Sequence, residues 1–285
     1  MPARCAPCRG GKGSNVAKIV ALMGRPVIAA GFIAGAAGRS IERGLAERGV
    51  KPAFIEVDGE SRTCYNIFDP LRGTQTELLE PGVLVSPDQW DAFRTRFPRL
   101  AGRAKVVTLS GSLPGGVKSS AYNDLIRLTR QAGARVILDT SGEPLRQGLE
   151  AAPHIVKPNQ AELEALLGIP VRMPLACVRA ANQLQNYGVE MVVISLGEHG
   201  SIVVAQNRAW QVVPPIVEAV DTVGCGDALV AGFAIGLAES MSLEGTMRLA
   251  TAAAAAKVES LVPGECDPVE VERLVPLVQI QPLIQ

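Results

Sequence analysis

A glycine-rich loop that leads directly into an apolar helical pattern is the part of this sequence best suited to chemistry. The loop is Asp221-Thr222-Val223-Gly224-Cys225-Gly226-Asp227, and small apolar residues follow it at 228–233. Glycines let backbone N–H groups approach an anion closely, and a helix start adds donors and a favourable dipole. Since a carboxylate there would repel a phosphate, Asp227 is interpreted as a base that deprotonates the group attacking the phosphate. The alternative is an ordinary helix N-cap.

A second glycine-rich motif opens the chain. Gly10-Gly11-Lys12-Gly13-Ser14-Asn15-Val16-Ala17 begins an amphipathic helical pattern that extends through Leu22 and stops at Gly24. Four further motifs lie between this motif and the Asp227 loop: Leu109-Ser110-Gly111-Ser112-Leu113-Pro114-Gly115, Leu138-Asp139-Thr140-Ser141-Gly142, Lys157-Pro158-Asn159-Gln160-Ala161-Glu162 and Ser195-Leu196-Gly197-Glu198-His199-Gly200.

Together these motifs resemble the signatures of the ribokinase-like sugar kinase family of the phosphofructokinase B type. Their order and spacing are similar to those of its 1-phosphofructokinase and tagatose-6-phosphate kinase branch, and the resemblance covers nearly the whole chain. It implies one α/β kinase domain over residues 1–285. That domain would have three α/β/α layers, a mostly parallel central sheet and a small antiparallel β lid.

The resemblance also implies a role for each motif residue. Asp227 would be the catalytic base, and the backbone N–H groups of Gly224, Cys225 and Gly226 would form an anion hole. ATP would be bound by Lys157, Asn159, Ser195, Gly197 and Thr222. The sugar phosphate would be bound by Gly10, Gly11, Asn15, Arg62 and Ser112. Asn159 and Glu162 would hold Mg²⁺ through water, as suits oxygen ligands and a cation that keeps its waters.

Plainer structural interpretations stand beside these roles. Asn159 and Glu162 have the spacing of a helix capping box, which does not exclude metal binding. Arg62 could be a solvated turn residue rather than a bidentate phosphate ligand. The turn after Ser195 could simply lead into a hairpin. Cys225 could line the core, or it could be a reactive thiol whose pKa is lowered at a helix start.

The implied activity is transfer of the γ-phosphoryl group of ATP to a ketohexose phosphate, which would yield a bisphosphate. Fructose 1-phosphate, tagatose 6-phosphate and fructose 6-phosphate are the acceptors considered, in that order. A non-catalytic sugar-phosphate-binding remnant of such a kinase is the alternative. A Rossmann oxidoreductase ranks third, because Gly31-x-x-x-Gly35-x-x-Gly38 lacks the Gly-x-Gly start and the ribose-binding acid.

The amino-acid composition argues against two classes of binding partner, nucleic acids and anionic membranes. The 285 residues are 47% hydrophobic and carry a formal net charge of zero, so no nucleic acid or anionic membrane surface is expected as a partner. Aromatic residues make up only 4%, which disfavours base-stacking platforms. Cys5-x-x-Cys8 has zinc-like spacing but no second pair. Without a secretory signal or a spanning apolar run, the chain is expected to be cytoplasmic.

Alternating strand and helix patterns predict a sheet covered on both faces, with the motifs at the carboxyl ends of its strands. Strands are predicted at 27–32, 106–110, 136–139, 155–157 and 191–196. Helices are predicted at 40–48, 87–97, 120–131, 160–167, 175–186, 227–239 and 242–261. Strand-like pieces at 53–57, 64–69 and 76–79 have no helix between them and predict the antiparallel lid, within about 50–80. A homodimer formed through this lid is one arrangement that the sequence leaves open.

The start of the chain departs from the family pattern. Family members resembling this chain carry, before the glycine pair, a first strand, an Asn-Pro-x-x-Asp turn and further lid strands. Residues 1–9 contain no aspartate and no strand pattern. The expectation is therefore that the N-terminal strand and part of the lid are missing, and that an acidic ligand of the sugar is missing with them.

Overall fold

The structure is a computed structural model that describes residues 10–69 and 74–284. The Cys5-x-x-Cys8 pair and the expected absence of a first strand before Gly10 fall outside these residues.

Helices and strands alternate along most of the described chain. The helices are α1 (Lys12–Leu22), α2 (Gly35–Ala46), α3 (Pro87–Ala101), α4 (Ala121–Gln131), α5 (Gly142–Leu149), α6 (Gln160–Leu167), α7 (Pro174–Gln185), α8 (Cys225–Ala238), α9 (Leu243–Val258) and α10 (Pro268–Leu274). The strands are β1 (Ile28–Ala29), β2 (Phe32–Ile33), β3 (Lys51–Pro52), β4 (Ile55–Glu56), β5 (Cys64–Asp69), β6 (Thr74–Leu79), β7 (Val106–Ser110), β8 (Arg135–Asp139), β9 (Ile155–Val156), β10 (Met191–Ser195), β11 (Ser201–Ala205), β12 (Arg208–Val213) and β13 (Gln279–Ile284).

The central sheet has the strand order β13-β12-β11-β10-β9-β8-β7. Strands β7 to β10 pair in parallel, and β10 to β13 pair antiparallel. The sheet is therefore mixed, and its parallel half is the one that matches the prediction of a mostly parallel sheet. Crossover helices connect the parallel strands, whereas tight turns join β10, β11 and β12. The motif residues follow the strands of the parallel half.

Helices cover both faces of the sheet, which makes the three layers that were predicted. Successive strand residues point to opposite faces, so Ile137 and Val193 join one buried cluster while Leu138 and Ile194 join the other. The first cluster includes α1, α8, α9 and α10, and the second includes α3 to α7. Since both faces are buried, the strands are continuous apolar runs rather than alternating ones.

The first predicted strand, 27–32, and the lid piece 53–57 differ from the prediction. The first is interrupted between Ala29 and Phe32, giving β1 and β2, which pair in parallel with β3 and β4. Residues 53–57 contribute only β4, which is not part of an antiparallel lid. The physical reason is that α2 starts at Gly35, earlier than predicted, and a strand–helix–strand crossover returns the chain in parallel.

The lid hairpin itself is antiparallel, as the sequence predicted. β5 pairs with β6 from Cys64 opposite Leu79 to Asp69 opposite Thr74. In the part of the chain that the structure describes, no helix is long and apolar enough to cross a membrane.

Candidate active site

The predicted site residues converge where the parallel strands end and where α1, α6 and α8 begin. The loop after β7 is joined to the end of β8, because Gly111 N–H donates to the carbonyl of Asp139 at 2.9 Å. Thr140 Oγ1 then donates to the carbonyl of Gly111, also at 2.9 Å. The loop after β9 is joined to β10 through Ser195 N–H and the carbonyl of Pro158, at 3.1 Å. Hydrogen bonds thus connect the loops at this edge of the sheet, and these loops position the side chains around them.

The glycine-rich loop forms a tight turn at the start of α8. Gly224 is the N-cap and has φ of 87°, a left-handed conformation that favours glycine. Asp221 Oδ1 accepts from Val223 N–H at 3.0 Å, which shapes the preceding turn. Cys225 N–H donates to the carbonyl of Thr222 at 3.3 Å. The N–H groups of the first helical turn have no carbonyl four residues back within the helix, so this end of α8 can receive an anion.

Asp227 lies in this first turn and is buried, with 4% of its surface exposed. Its Oδ2 accepts from Asn15 Nδ2 at 2.8 Å. Burial, with the like charge of Asp139 added, raises the pKa of Asp227 to about 6, against the lowering effects of Asn15, Lys12 and Lys157. A carboxylate with this pKa is ionised at neutral pH yet basic enough to take a proton.

Asp139 anchors two lysines beside that turn. It is 1% exposed, and its Oδ1 lies 3.1 Å from Lys157 Nζ and 3.5 Å from Lys12 Nζ. The two ammonium groups compensate the charge of this buried carboxylate. A Cβ on Gly226 would stand 3.5 Å from Lys157 Nζ, which places this ammonium against the start of α8.

Lys12 is surrounded by acids. Burial alone would lower the pKa of Lys12, but the carboxylates of Asp139, Glu162 and Asp227 raise it above its usual value. Lys12 is still 42% exposed at its side chain, so its ammonium can meet a ligand. The sequence suggested Lys12 as added positive charge near the phosphate of the sugar, and it did not single out Asp139 as the anchor for two cations.

The start of α6 contains the capping box that the sequence predicted. Asn159 Oδ1 accepts from Glu162 N–H at 2.7 Å, and Glu162 Oε2 accepts from Asn159 N–H at 2.8 Å. The box uses one oxygen of each side chain. The amide oxygen of Asn159 and the carboxylate oxygens of Glu162 are hard ligands, which fit a hydrated Mg²⁺. In the described ranges, no three or more His, Cys, Asp or Glu side chains are arranged so that they could hold a metal ion by themselves. A cation here would therefore take most of its ligands from water and phosphate.

A cleft of about 560 Å³ lies beside this helix start. Its lining includes Asn159, Ser195 and Gly197, which the sequence had grouped as nucleotide ligands. Glu164 and Arg172 also line it and were not predicted. Lys157 is placed with Asp139 instead, and Thr222 lies exposed in the loop before α8.

The residues predicted to bind the sugar phosphate fall into two groups. Arg62 Nη2 donates to Ser112 Oγ at 3.1 Å, so the lid segment and the loop after β7 meet at these two side chains. Gly10 and Gly11 precede α1, and Asn15 lies buried in it. The amide of Asn15, predicted to face sugar hydroxyls, holds Asp227 in place.

Cys225 is not an activated thiol. Burial raises the pKa of Cys225 to about 11, with Lys257 acting in the opposite direction, so the thiolate is disfavoured at neutral pH. The histidine near the sheet, His154, uses Nδ1 to accept from Val136 N–H at 3.0 Å, and burial lowers the pKa of its imidazole. The imidazole of His154 therefore has a structural role.

Known proteins share this fold and are similar in sequence to this chain. Residues 8–270 match the model of the pfkB family carbohydrate kinases. The chain is 36% identical over 272 residues to the 1-phosphofructokinase of Escherichia coli K12, covering 95% of this chain and 87% of the relative. It is 35% identical over 246 residues to the tagatose-6-phosphate kinase of Staphylococcus epidermidis, covering 85% and 79%. The phosphofructokinase-2 structure from Escherichia coli matches with a TM-score of 0.87 and 31% identity, covering 97% and 92%. This chain therefore belongs to the pfkB family of carbohydrate kinases.

Proposed function

We propose that this protein transfers the γ-phosphoryl group of ATP to a hydroxyl of a ketohexose phosphate, giving a bisphosphate, and that it requires Mg²⁺. The observation that carries the proposal is Asp227, a buried carboxylate with a pKa of about 6 at the glycine-rich start of α8. A base and an anion site are adjacent there, as phosphoryl transfer to an alcohol requires.

We assign the following roles to the side chains and backbone groups of the site. Asp227 accepts the proton of the attacking hydroxyl, and Asn15 keeps its carboxylate oriented. The N–H groups of the Gly224–Gly226 turn would stabilise the charge of the phosphoryl group as it moves, together with the ammonium of Lys157, which lies against the start of α8. Asn159 and Glu162 would hold Mg²⁺, which neutralises charge on the nucleotide phosphates. ATP occupies the cleft beside α6, between Asn159 and Gly197.

A phosphorylated sugar is favoured as acceptor by the Arg62–Ser112 pair. The guanidinium and hydroxyl offer adjacent donors that match a phosphate. Because the chain has zero formal net charge, this group must be met by local charge rather than by a global field. The relatives are named for fructose and tagatose phosphates, and this supports a ketohexose phosphate without choosing among them.

The test is ATP turnover with fructose 1-phosphate, tagatose 6-phosphate and fructose 6-phosphate, with free fructose and no sugar as controls. Turnover with one of the three, abolished by EDTA, is the expected result. Binding of a sugar phosphate without turnover under any of these conditions would instead favour the non-catalytic remnant.

Arg62→Ala tests the acceptor site. We expect the KM for the sugar phosphate to rise by roughly tenfold or more while the KM for ATP changes little, because a charged hydrogen bond to the phosphate is lost. Arg62→Lys should restore part of the effect, since a point charge replaces a planar fork. The matched control is Arg39→Ala, which removes an exposed arginine paired with Glu56. Equal effects on both substrates would remove Arg62 from the site.

We also propose a homodimer formed through the lid. Tyr65, Ile67 and Leu78 are each more than half exposed, and Tyr65 lies directly opposite Leu78, so these three side chains form an apolar patch on one face of the hairpin. Light scattering after size exclusion should give twice the chain mass, and Ile67→Glu should give the monomer. Leu84→Glu, at an exposed leucine outside the hairpin, is the control. A monomeric wild type would contradict this arrangement.

A further inference from the structure

Lys257 is a completely buried lysine that the proposed chemistry does not use. It lies in the last turn of α9, and its side chain has no exposed surface. Its Nζ donates to the carbonyl of Ser260 at 2.9 Å and to the carbonyl of Asp221 at 3.1 Å. The Oδ2 of Asp221 lies 3.9 Å away. These three oxygens surround the ammonium group much as they would surround an inorganic cation. Unlike such a cation, the ammonium group is covalently part of the chain.

Two of the three oxygens around this ammonium belong to Asp221, in the loop that precedes the anion-binding turn. The N–H groups of Val220 and Asp221 both donate to the carbonyl of Val258, so the loop lies on the end of α9. Asp221 in turn holds Val223 N–H through Oδ1. Gly224 is packed against the segment after α9, because a Cβ there would stand 3.5 Å from both Pro263 Cα and Gly264 N.

We propose that Lys257 is a positioning residue for phosphoryl transfer: its buried ammonium fixes the Asp221–Gly224 loop and so aims the first N–H groups of α8 at the transferred phosphoryl group. This inference rests on the proposed kinase function. Its physical basis is that burying a charge is costly unless it is compensated, so the oxygens that compensate Lys257 are constrained in return. The loop that carries the anion site is thus fixed by a charge and not by packing alone.

The variants Lys257→Ala and Lys257→Met separate charge from packing. Lys257→Met keeps most of the side-chain volume and loses the charge, and we expect its kcat to fall by about tenfold or more, as when a donor of such a site is displaced. Its KM for the sugar phosphate should stay within about threefold, since the ground-state contacts of the acceptor are untouched. Lys257→Ala should lose at least as much, and it leaves a space lined by oxygens.

Ammonium ions then provide a readout that a purely structural role would not move. In ammonium chloride, Lys257→Ala should regain much of its kcat, whereas choline chloride at equal ionic strength should have no effect. Lys257→Met and the wild type should not respond, because their side chains fill the space. Without substrates, ammonium should raise the Tm of Lys257→Ala by binding to its folded state. This measurement holds even if the protein proves not to be a kinase.

Lys105→Ala is the matched control. Lys105 Nζ donates to the carbonyl of Ala238 at 2.9 Å, so this lysine also meets a helix C-terminus, but far from the Asp221 loop. Its removal should leave kcat and the ammonium response unchanged. The proposal would be overturned by wild-type kcat in Lys257→Met, or by ammonium that stabilises Lys257→Ala without restoring its kcat.

Discussion

Asp227 combines two consequences of burial. Its carboxylate lies in a site 4% exposed, so the ionised form is disfavoured and its pKa is about 6. The same burial makes it a stronger base than an exposed aspartate and makes its ionised form costly to the fold. A shift of this size corresponds to about 3 kcal/mol at most. The burial of Asp227 therefore favours activity but lowers the stability of the fold.

Asp227→Asn should abolish most turnover and stabilise the fold. We expect kcat to fall by about 10²–10⁴-fold, because the base is lost, with little change in ATP binding. At pH 8 the Tm should rise, because a neutral amide replaces a buried charge. Steady-state kinetics and thermal unfolding measure the two effects. Asp88→Asn, in the exposed first turn of α3, is the control and should change neither. A variant that keeps more than about a tenth of the wild-type kcat would refute the role of Asp227 as base.

The pH dependence follows from the same raised pKa. The folded protein binds the Asp227 proton more tightly than the unfolded chain does, so this residue makes the fold less stable as pH rises from about 4 through about 6. The rate behaves in the opposite way, because only the ionised base works. We expect kcat/KM to fall below pH of about 6 with unit slope, and Asp227→Asn to lose this limb. A flat profile from pH 5 to 8 would contradict the assignment.

The sequence offered candidates for the reactive residues but few for the residues that support them. Asp227 and its glycines could be proposed because their types and spacing suit an anion site at a helix start and resemble a family signature. The anchoring by Asp139 and the buried ammonium of Lys257 could not, because both depend on which elements meet in three dimensions. A signal did exist for Lys257: it is a lysine within an otherwise alanine-rich helical run, where a charge demands a partner.

At the scale of elements, the start of α6 joins a helix cap to the expected magnesium site. Glu162→Gln separates the two roles, because glutamine can still accept from Asn159 N–H in a capping box but carries no charge. We expect the Tm to stay nearly constant while the Mg²⁺ concentration for half-maximal activity rises by about tenfold or more.

Glu162→Ala should lose the cap as well, at about 1 kcal/mol of stability. Glu143→Gln, in the first turn of α5, is the control for loss of a carboxylate near a helix start. An unchanged Mg²⁺ requirement in Glu162→Gln would leave the side chain as a cap only.

Elements with strong local signals were predicted closely. α6 has the predicted bounds, 160–167, because a capping box starts it and Gly168, at φ of 68°, ends it. β7 likewise has the predicted bounds, 106–110. By contrast, α5, α10, β12 and β13 were not predicted. α5 and α10 are only 8 and 7 residues long, so they offer little periodicity, and β13 depends on pairing with β12 at the sheet edge.

At the scale of the molecule, the site depends on how closely α8 and α9 pack. Gly232 and Gly236 of α8 face Ala250 and Thr246 of α9, and a Cβ on either glycine would overlap them. This contact sets the distance between the two helices. It thereby ties the start of α8, which carries Asp227, to the end of α9, which carries Lys257.

Gly232→Ala should therefore destabilise the whole domain, although alanine is the better helix former. The added Cβ would stand 2.2 Å from Ala250 Cα, so α8 and α9 must move apart, at about 1–3 kcal/mol or more. Thermal unfolding should show a lower Tm, and kcat should fall with it because the anion turn shifts. Gly13→Ala is the matched control for stability, because Gly13 also lies in a helix, α1, but has room for a Cβ. The atom nearest to that Cβ would be the carbonyl oxygen of Ser110, at 4.0 Å. There the gain in helix propensity should be unopposed and the Tm should stay equal or rise. Equal Tm changes in the two variants would show that the helix contact is looser than the structure has it.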